Sequence, residues 1–241
     1  MDEKGELIKI LVEFLGDRFS SRLRIDLSSI KNEEIFKWFI ASILFGARIS
    51  ETIVINTYKE FEKERIVSPY MILKTGWDGL VRILDNGGYV RYDFKTATKL
   101  LEVIKNFKEM YGGDFNKLQK EAKDPKDLED KIKALGKGIG EVTVRIFLRE
   151  LRGLWDKADP PLSPLALRSA INLELISRED DVFSGLGKLK LLWRENKIKD
   201  KEFVDFETAL VRQGKDFCRR RKCGECIVKK YCSLGLESKI S

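Results

Sequence analysis

The chain has 241 residues, 35% of them charged, with 46 Lys and Arg against 39 Asp and Glu for a net charge of +7, and it contains no His. That length suffices for one large domain or two small interlocked ones. The missing His excludes any Ser–His or Cys–His catalytic pair and limits a metal site to Cys or carboxylate ligands, while the basic balance suits a polyanionic partner.

The N-terminal stretch MDEKGELIKILVEFLGDRF is charged and amphipathic, without a basic region leading into an apolar run. No apolar stretch reaches the roughly 18 residues of a membrane span, so the expectation is a soluble, cytoplasmic protein that makes no membrane contact. Helical periods dominate the chain. Asn32 is placed to cap a helix whose apolar face is Ile35, Phe36, Phe39, Ile40, Ile43 and Leu44, and Ile53, Val54, Tyr58 and Phe61 repeat the pattern. Leu80, Val81 and Leu84 run to a terminator at Asn86-Gly87-Gly88, and Ala97, Leu100, Leu101, Ile104 and Phe107 run to Tyr111-Gly112-Gly113. Leu128, Ile132 and Leu135 lead into Gly136, after which Val142, Val144, Ile146, Phe147 and Leu151 resume. Ser163-Pro164 has the form of an N-cap with Pro at the first helical position, and a last helix carries Phe203, Phe206 and Leu210. The fold class is therefore all-α, with about ten short helices. No interdomain linker is evident, so a second domain would have to draw on both chain ends.

Two segments carry chemistry. In Leu135-Gly136-Lys137-Gly138-Ile139-Gly140-Glu141-Val142-Thr143-Val144, a glycine turn joins two helices. Gly138 and Gly140 are expected to allow backbone angles that a Cβ forbids and to let a phosphate approach. The unpaired N–H groups opening the second helix favour an anion, which makes a clamp for one DNA phosphate, although a plain turn between helices has the same outline. The second segment holds all four cysteines, Cys218, Cys223, Cys226 and Cys232, within fifteen residues. In an intracellular protein four thiolates on one loop read as ligands of a single metal centre, structural zinc or an iron–sulfur cluster, in preference to disulfides. Arg219, Arg220, Arg221 and Lys222 lie inside the loop and suit phosphate contacts, or form a solvated turn.

With the Gly-Ile-Gly turn followed by Thr143 and an apolar helix, the chain resembles the helix-hairpin-helix motif of the endonuclease III superfamily of DNA glycosylases. The resemblance extends over nearly the whole sequence. That family ends in a cysteine loop after a helix with Gly four residues before the first Cys, where this chain has Gly214; its first gap, between Cys218 and Cys223, is two residues shorter than usual. The resemblance implies a [4Fe–4S] cluster on Cys218, Cys223, Cys226 and Cys232. It implies a six-helix barrel over about 30–155 ending in the hairpin, and a cluster domain from 1–29 and about 156–241. The implied partner is double-stranded DNA containing a damaged or mismatched base, bound by a monomer associated with the nucleoid.

The segment Ile43–Ser50 occupies the place of a family loop that inserts a residue into the DNA stack, which makes Arg48 the candidate wedge. Gly88-Tyr89-Val90-Arg91-Tyr92 resembles a second lesion-proximal turn, where Tyr89 or Tyr92 either stacks on a base or packs in the core. Lys137, Gly138 and Gly140 complete the expected DNA contacts. Breaking the N-glycosidic bond builds positive charge on the sugar, which a carboxylate stabilises. The family's Asp lies about twenty residues after the second hairpin glycine, and Asp159 lies nineteen after Gly140. An alternative alignment puts Ser163 there, and Asp156 fits less well. Relatives with lyase activity carry a nucleophilic Lys where this chain has Val142. The implied function is base excision by a monofunctional glycosylase, with a catalytically silent DNA-binding or lesion-sensing relative as the alternative.

Overall fold

The computed structural model describes residues 2–232. In chain order the helices are α1 Glu3–Leu15, α2 Phe19–Arg22, α3 Asn32–Phe45, α4 Glu51–Lys63, α5 Pro69–Asn86, α6 Asp93–Tyr111, α7 Phe115–Glu121, α8 Pro125–Lys133, α9 Glu141–Arg149, α10 Pro164–Asn172, α11 Ser184–Glu195 and α12 Phe203–Arg212. A π turn at Gln213–Cys218 and short 3-10 turns at Leu27–Ser29 and Lys229–Tyr231 complete the regular structure. The described residues contain no strand, only an isolated bridge between Arg152 and Trp155. Among them, no helix is long and apolar enough to cross a membrane. The chain divides into two units, Ser20–Pro160 and Met1–Phe19 with Pro161–Ser241, so the second is built from both ends.

Aromatic packing organises the Ser20–Pro160 unit. Phe39 of α3 meets Phe115 of α7 at 4.8 Å and Phe147 of α9 at 5.2 Å, while Phe115 lies 4.1 Å from Phe107 of α6. These fully buried rings lock four helices around one centre, and truncating any one to Ala should cost about 3–5 kcal/mol. The apolar faces of α3 and α4 are buried as their spacing requires, and the indole N–H of Trp38 donates to the Phe147 carbonyl at 3.0 Å. Where α3 ends, Gly46 faces α9 so closely that a Cβ would come 2.4 Å from the Thr143 hydroxyl. α5 bends at Gly76, whose φ of 69° is left-handed.

One local expectation fails. Asn32 does not cap α3; Lys31 holds that position without a side-chain bond. The Asn32 amide instead donates to the Gly113 carbonyl at 2.8 Å and accepts from the Phe115 N–H at 2.8 Å. It ties α3 to the α6–α7 turn, a long-range use that sequence neighbours do not reveal.

In the other unit α1 packs on α12, and α12 on α10. Arg18 donates to both carboxylate oxygens of Asp205, at 2.7 and 3.2 Å, in the bidentate geometry that guanidinium favours. The Arg212 guanidinium lies 4.1 Å from the centre of the Phe19 ring and donates to the Asp17 carbonyl. Ser163 caps α10 by accepting from the Ala166 N–H at 3.2 Å, with Pro164 at the first helical position. Gly214 sits where α10 crosses the π turn, and a Cβ there would come 2.2 Å from the Leu165 carbonyl oxygen.

Candidate functional site

The hairpin between α8 and α9 is fixed from below by α6. Asn106 donates to the Leu135 carbonyl at 2.9 Å, and Glu102 accepts from the Lys137 N–H at 3.0 Å. Gly136 rests on Val103, where a Cβ would come 2.7 Å from a methyl carbon, and Leu135 and Ile139 are buried. Gly138 takes φ = +90°, a conformation L side chains rarely adopt. The expectation for Gly140 needs correction: its φ of −97° and ψ of 179° are ordinary extended values, and a Cβ there would meet nothing within 4 Å. Gly140 is the N-cap of α9 and provides no side chain to the helix, leaving the α9 N–H groups without a side-chain cap. Lys137 and Val142 are exposed, Val142 at 61%. Glu141 pairs along the helix with Arg145 at 3.2 Å. What the turn presents is an open backbone edge with a positive helix end and a lysine beside it.

Two other turns of the same unit carry the residues expected to contact DNA. Arg48 is exposed between α3 and α4, and among the described residues its side chain makes no hydrogen bond or ion pair. Tyr89 is not available to a base: its ring is fully buried and its hydroxyl donates to the Leu44 carbonyl at 2.9 Å. Burial raises its phenol well above the ordinary value. Tyr92 is half-buried, 6.2 Å from the Tyr89 ring, with the Arg91 guanidinium 5.4 Å from its own centre. The exposed apolar side chain at this turn is Val90, at 62%.

Asp159 lies four residues ahead of the α10 cap, in the loop after α9. Its carboxylate pairs with the guanidinium of Arg152, which also donates to the Pro160 carbonyl at 2.6 Å. Asp159 remains 40% exposed. Asp156 is exposed, and Lys157 donates to the Gln119 carbonyl at 3.2 Å. Ser163 is occupied as a helix cap.

The four cysteines are free thiols lining one cavity of about 550 Å³. The expected [4Fe–4S] cluster is overturned at this point. Among the described residues, no group of three or more His, Cys, Asp or Glu side chains is placed to hold a metal ion. The Gln213 amide donates to Cys226 Sγ at 3.0 Å and to Cys218 Sγ at 3.8 Å. Burial pushes the Cys218 thiol up from its ordinary value. Arg219, Arg220 and Arg221 are exposed, with Arg221 at a left-handed φ of 53°. Lys222 is engaged by Glu225 at 2.9 Å.

No family model and no curated protein matches the sequence. Among solved structures, a trapped endonuclease III–DNA covalent intermediate, in an estranged-adenine complex, matches with a TM-score of 0.50. It is 17% identical, and the match covers 83% of this chain and 84% of that one. The chain shares the endonuclease III fold. At that identity the likeness concerns the fold, and site chemistry has to be argued from residues.

Proposed function

We propose that the chain is a DNA-binding protein of the helix-hairpin-helix type that hydrolyses the N-glycosidic bond of a damaged or mismatched base without cleaving the strand. The observation that carries the DNA-binding part is the hairpin. Gly138 at positive φ, the bare Gly140 and the uncapped α9 start form a phosphate-sized backbone edge on a rigid base. Lys137, Arg48 and Arg219 to Arg221 supply exposed positive charge for further phosphate contacts, with Val90 as an apolar side chain able to press into a base step.

In this reading Asp159 stabilises the positive charge that grows on the sugar as the base leaves, the target nucleotide being flipped out of the duplex. Val142 excludes the amine chemistry of the family's lyases from its usual position, because a valine has no nucleophile. The deciding experiment is base release from a panel of duplexes holding oxidised, deaminated, alkylated and mismatched bases, scored with and without hot alkali. Release visible only after alkali supports the proposal.

One observation favours a second reading. Arg152 already neutralises part of the Asp159 charge, which suits a structural ion pair as well as a catalytic carboxylate. A catalytically silent protein would bind the same duplexes and release no base from any of them.

A further inference from the structure

The hairpin does not end at its own glycines. The side chain of Lys99, from α6, lies directly against Gly138: a Cβ built there would be 2.9 Å from Lys99 Cε and 3.5 Å from its Nζ. Lys95 stands one turn earlier on the same helix, exposed, and Arg91 lies four positions before that. Neither lysine has an ion pair or side-chain hydrogen bond among the described residues.

Several helical Lys pair with a carboxylate three or four residues away, as in Lys105–Glu109, Lys117–Glu121, Lys126–Asp130 and Lys133–Glu129. Lys95 and Lys99 stand four residues from each other, a like-charge spacing that costs stability. Glu102, three residues past Lys99, is spaced to relieve it, but its carboxylate accepts the Lys137 backbone N–H instead. Asp93, at the start of the helix, accepts from the Phe94 N–H at 2.7 Å. One oxygen of each of these carboxylates is thus engaged by backbone, and Asp93 also hydrogen-bonds the Asp85 carboxyl. Burial, and then the neighbouring Lys95, push the Lys99 ammonium below its ordinary value, as expected of a cation without a partner.

We propose that Lys95 and Lys99 extend the hairpin's phosphate-binding surface along α6, carrying a DNA strand from the Gly138 turn toward Arg91. The proposal rests on the DNA-binding reading above and adds to it a second run of contacts. Four residues of helix advance about 6 Å, more than the roughly 3.4 Å of axis per charge on one DNA strand, so the two ammonium groups meet different phosphates. The free protein bears their repulsion, and a polyanion removes it.

The test is a salt titration of binding to a fluorescein-labelled undamaged duplex, read by anisotropy. Lys95→Gln and Lys99→Gln should each weaken binding and flatten the slope of log K against log salt by about 0.9. Lys99→Arg should keep the wild-type slope, and Lys105→Gln, on the same helix but paired, should change nothing. Thermal midpoints of the Gln variants should be unchanged or raised, since a repulsion is removed. If Lys99→Gln misfolds, Lys95→Gln and Lys99→Arg decide the matter. Wild-type affinity and slope in Lys95→Gln and Lys99→Gln, with binding still lost in hairpin variants, would overturn this proposal alone. A wild-type protein that does not bind the duplex at all would instead overturn the DNA-binding reading beneath it.

Discussion

Gly138 and Gly140 flank one residue, Ile139, yet only Gly138 holds a backbone conformation that requires glycine, φ being +90° there and −97° at Gly140. The same substitution at the two positions therefore separates folding from binding. Gly138→Ala should destabilise the protein by about 1–2 kcal/mol through backbone strain, since the nearby Lys99 chain end can move aside. Gly140→Ala should leave stability within about 0.5 kcal/mol, an exposed cap position in extended conformation losing little. It should nonetheless weaken duplex binding, because its methyl occupies the space a phosphate would enter. Denaturant unfolding and anisotropy on the two variants give the comparison; equal binding by Gly140→Ala and wild type would remove the hairpin from the interface.

Lys99 makes a separate prediction about pH. Its folded-state value is lowered by burial and by Lys95, so near the ordinary value of 10.5 the unfolded chain binds more protons than the folded one. Stability should therefore rise with pH as it approaches 10.5 from below, and the contribution should be flat well below the folded value. Lys99→Met should abolish that component and raise stability at neutral pH. Chemical unfolding of both proteins at neutral and alkaline pH checks the sign; a steeper rise in the variant would contradict it.

Gly214 should be intolerant of any side chain. A Cβ 2.2 Å from the Leu165 carbonyl oxygen forces α10 away from the π turn, and the contacting atoms are all Leu165 backbone, not a flexible side-chain end. Gly214→Ala should cost about 1–3 kcal/mol, the range of overpacked interiors, and should loosen the cysteine-lined cavity beyond it. Faster alkylation of Cys226 and Cys232 in the variant than in wild type is the accompanying readout, as both are buried in the native protein.

Much of this was legible before any coordinates. The three- and four-residue spacing of Ile35 to Leu44 marks the buried face of α3, the glycine pairs after Asn86 and Tyr111 mark two helix ends, and Ser163-Pro164 marks a third helix start. These signals are local, written in residues that touch one another along the chain. What the sequence misassigned depends on distant partners. Asn32 reads as a cap until Gly113 and Phe115 claim its amide, and the choice between stacking and core packing for Tyr89 stays open until the Leu44 carbonyl takes its hydroxyl. The cysteine spacing located a real loop, but whether four sulfurs form a ligand set depends on their placement, which spacing does not fix. Lys99 carried no sequence signal, because its closeness to Gly138 joins helices 39 residues apart.

Val142 allows a gain-of-function experiment. It is exposed at the position where lyase relatives carry their amine, so Val142→Lys should fold as wild type does. On a duplex with an abasic site, borohydride should trap a covalent adduct with the variant and none with the wild type, since only the variant presents an amine there. Adduct formation by the wild type at equal efficiency would mean that another lysine already acts, and Lys137, exposed in the hairpin, would be the first to replace.

The ion pair of Asp159 with Arg152 frames the last prediction, because the two roles open to this carboxylate respond oppositely to one change. Asp159→Asn removes the charge but keeps an oxygen that can accept from the guanidinium, and Arg152 retains its bond to the Pro160 carbonyl. The loop should hold, at a stability cost of about 1–2 kcal/mol. If Asp159 stabilises the sugar cation, base release should fall by at least about a hundredfold, as for the loss of a preorganised electrostatic group, while duplex affinity and its salt slope stay at wild-type values. A structural carboxylate gives the reverse pattern: a modest loss of stability, with base release per folded molecule unchanged. Asp156→Asn serves as the parallel measurement, since Asp156 is exposed on the same loop three residues earlier. Loss of activity in Asp156→Asn but not in Asp159→Asn would transfer the role to Asp156. Retention of activity in both would leave Asp159 as the anchor of the loop and take both carboxylates out of the reaction.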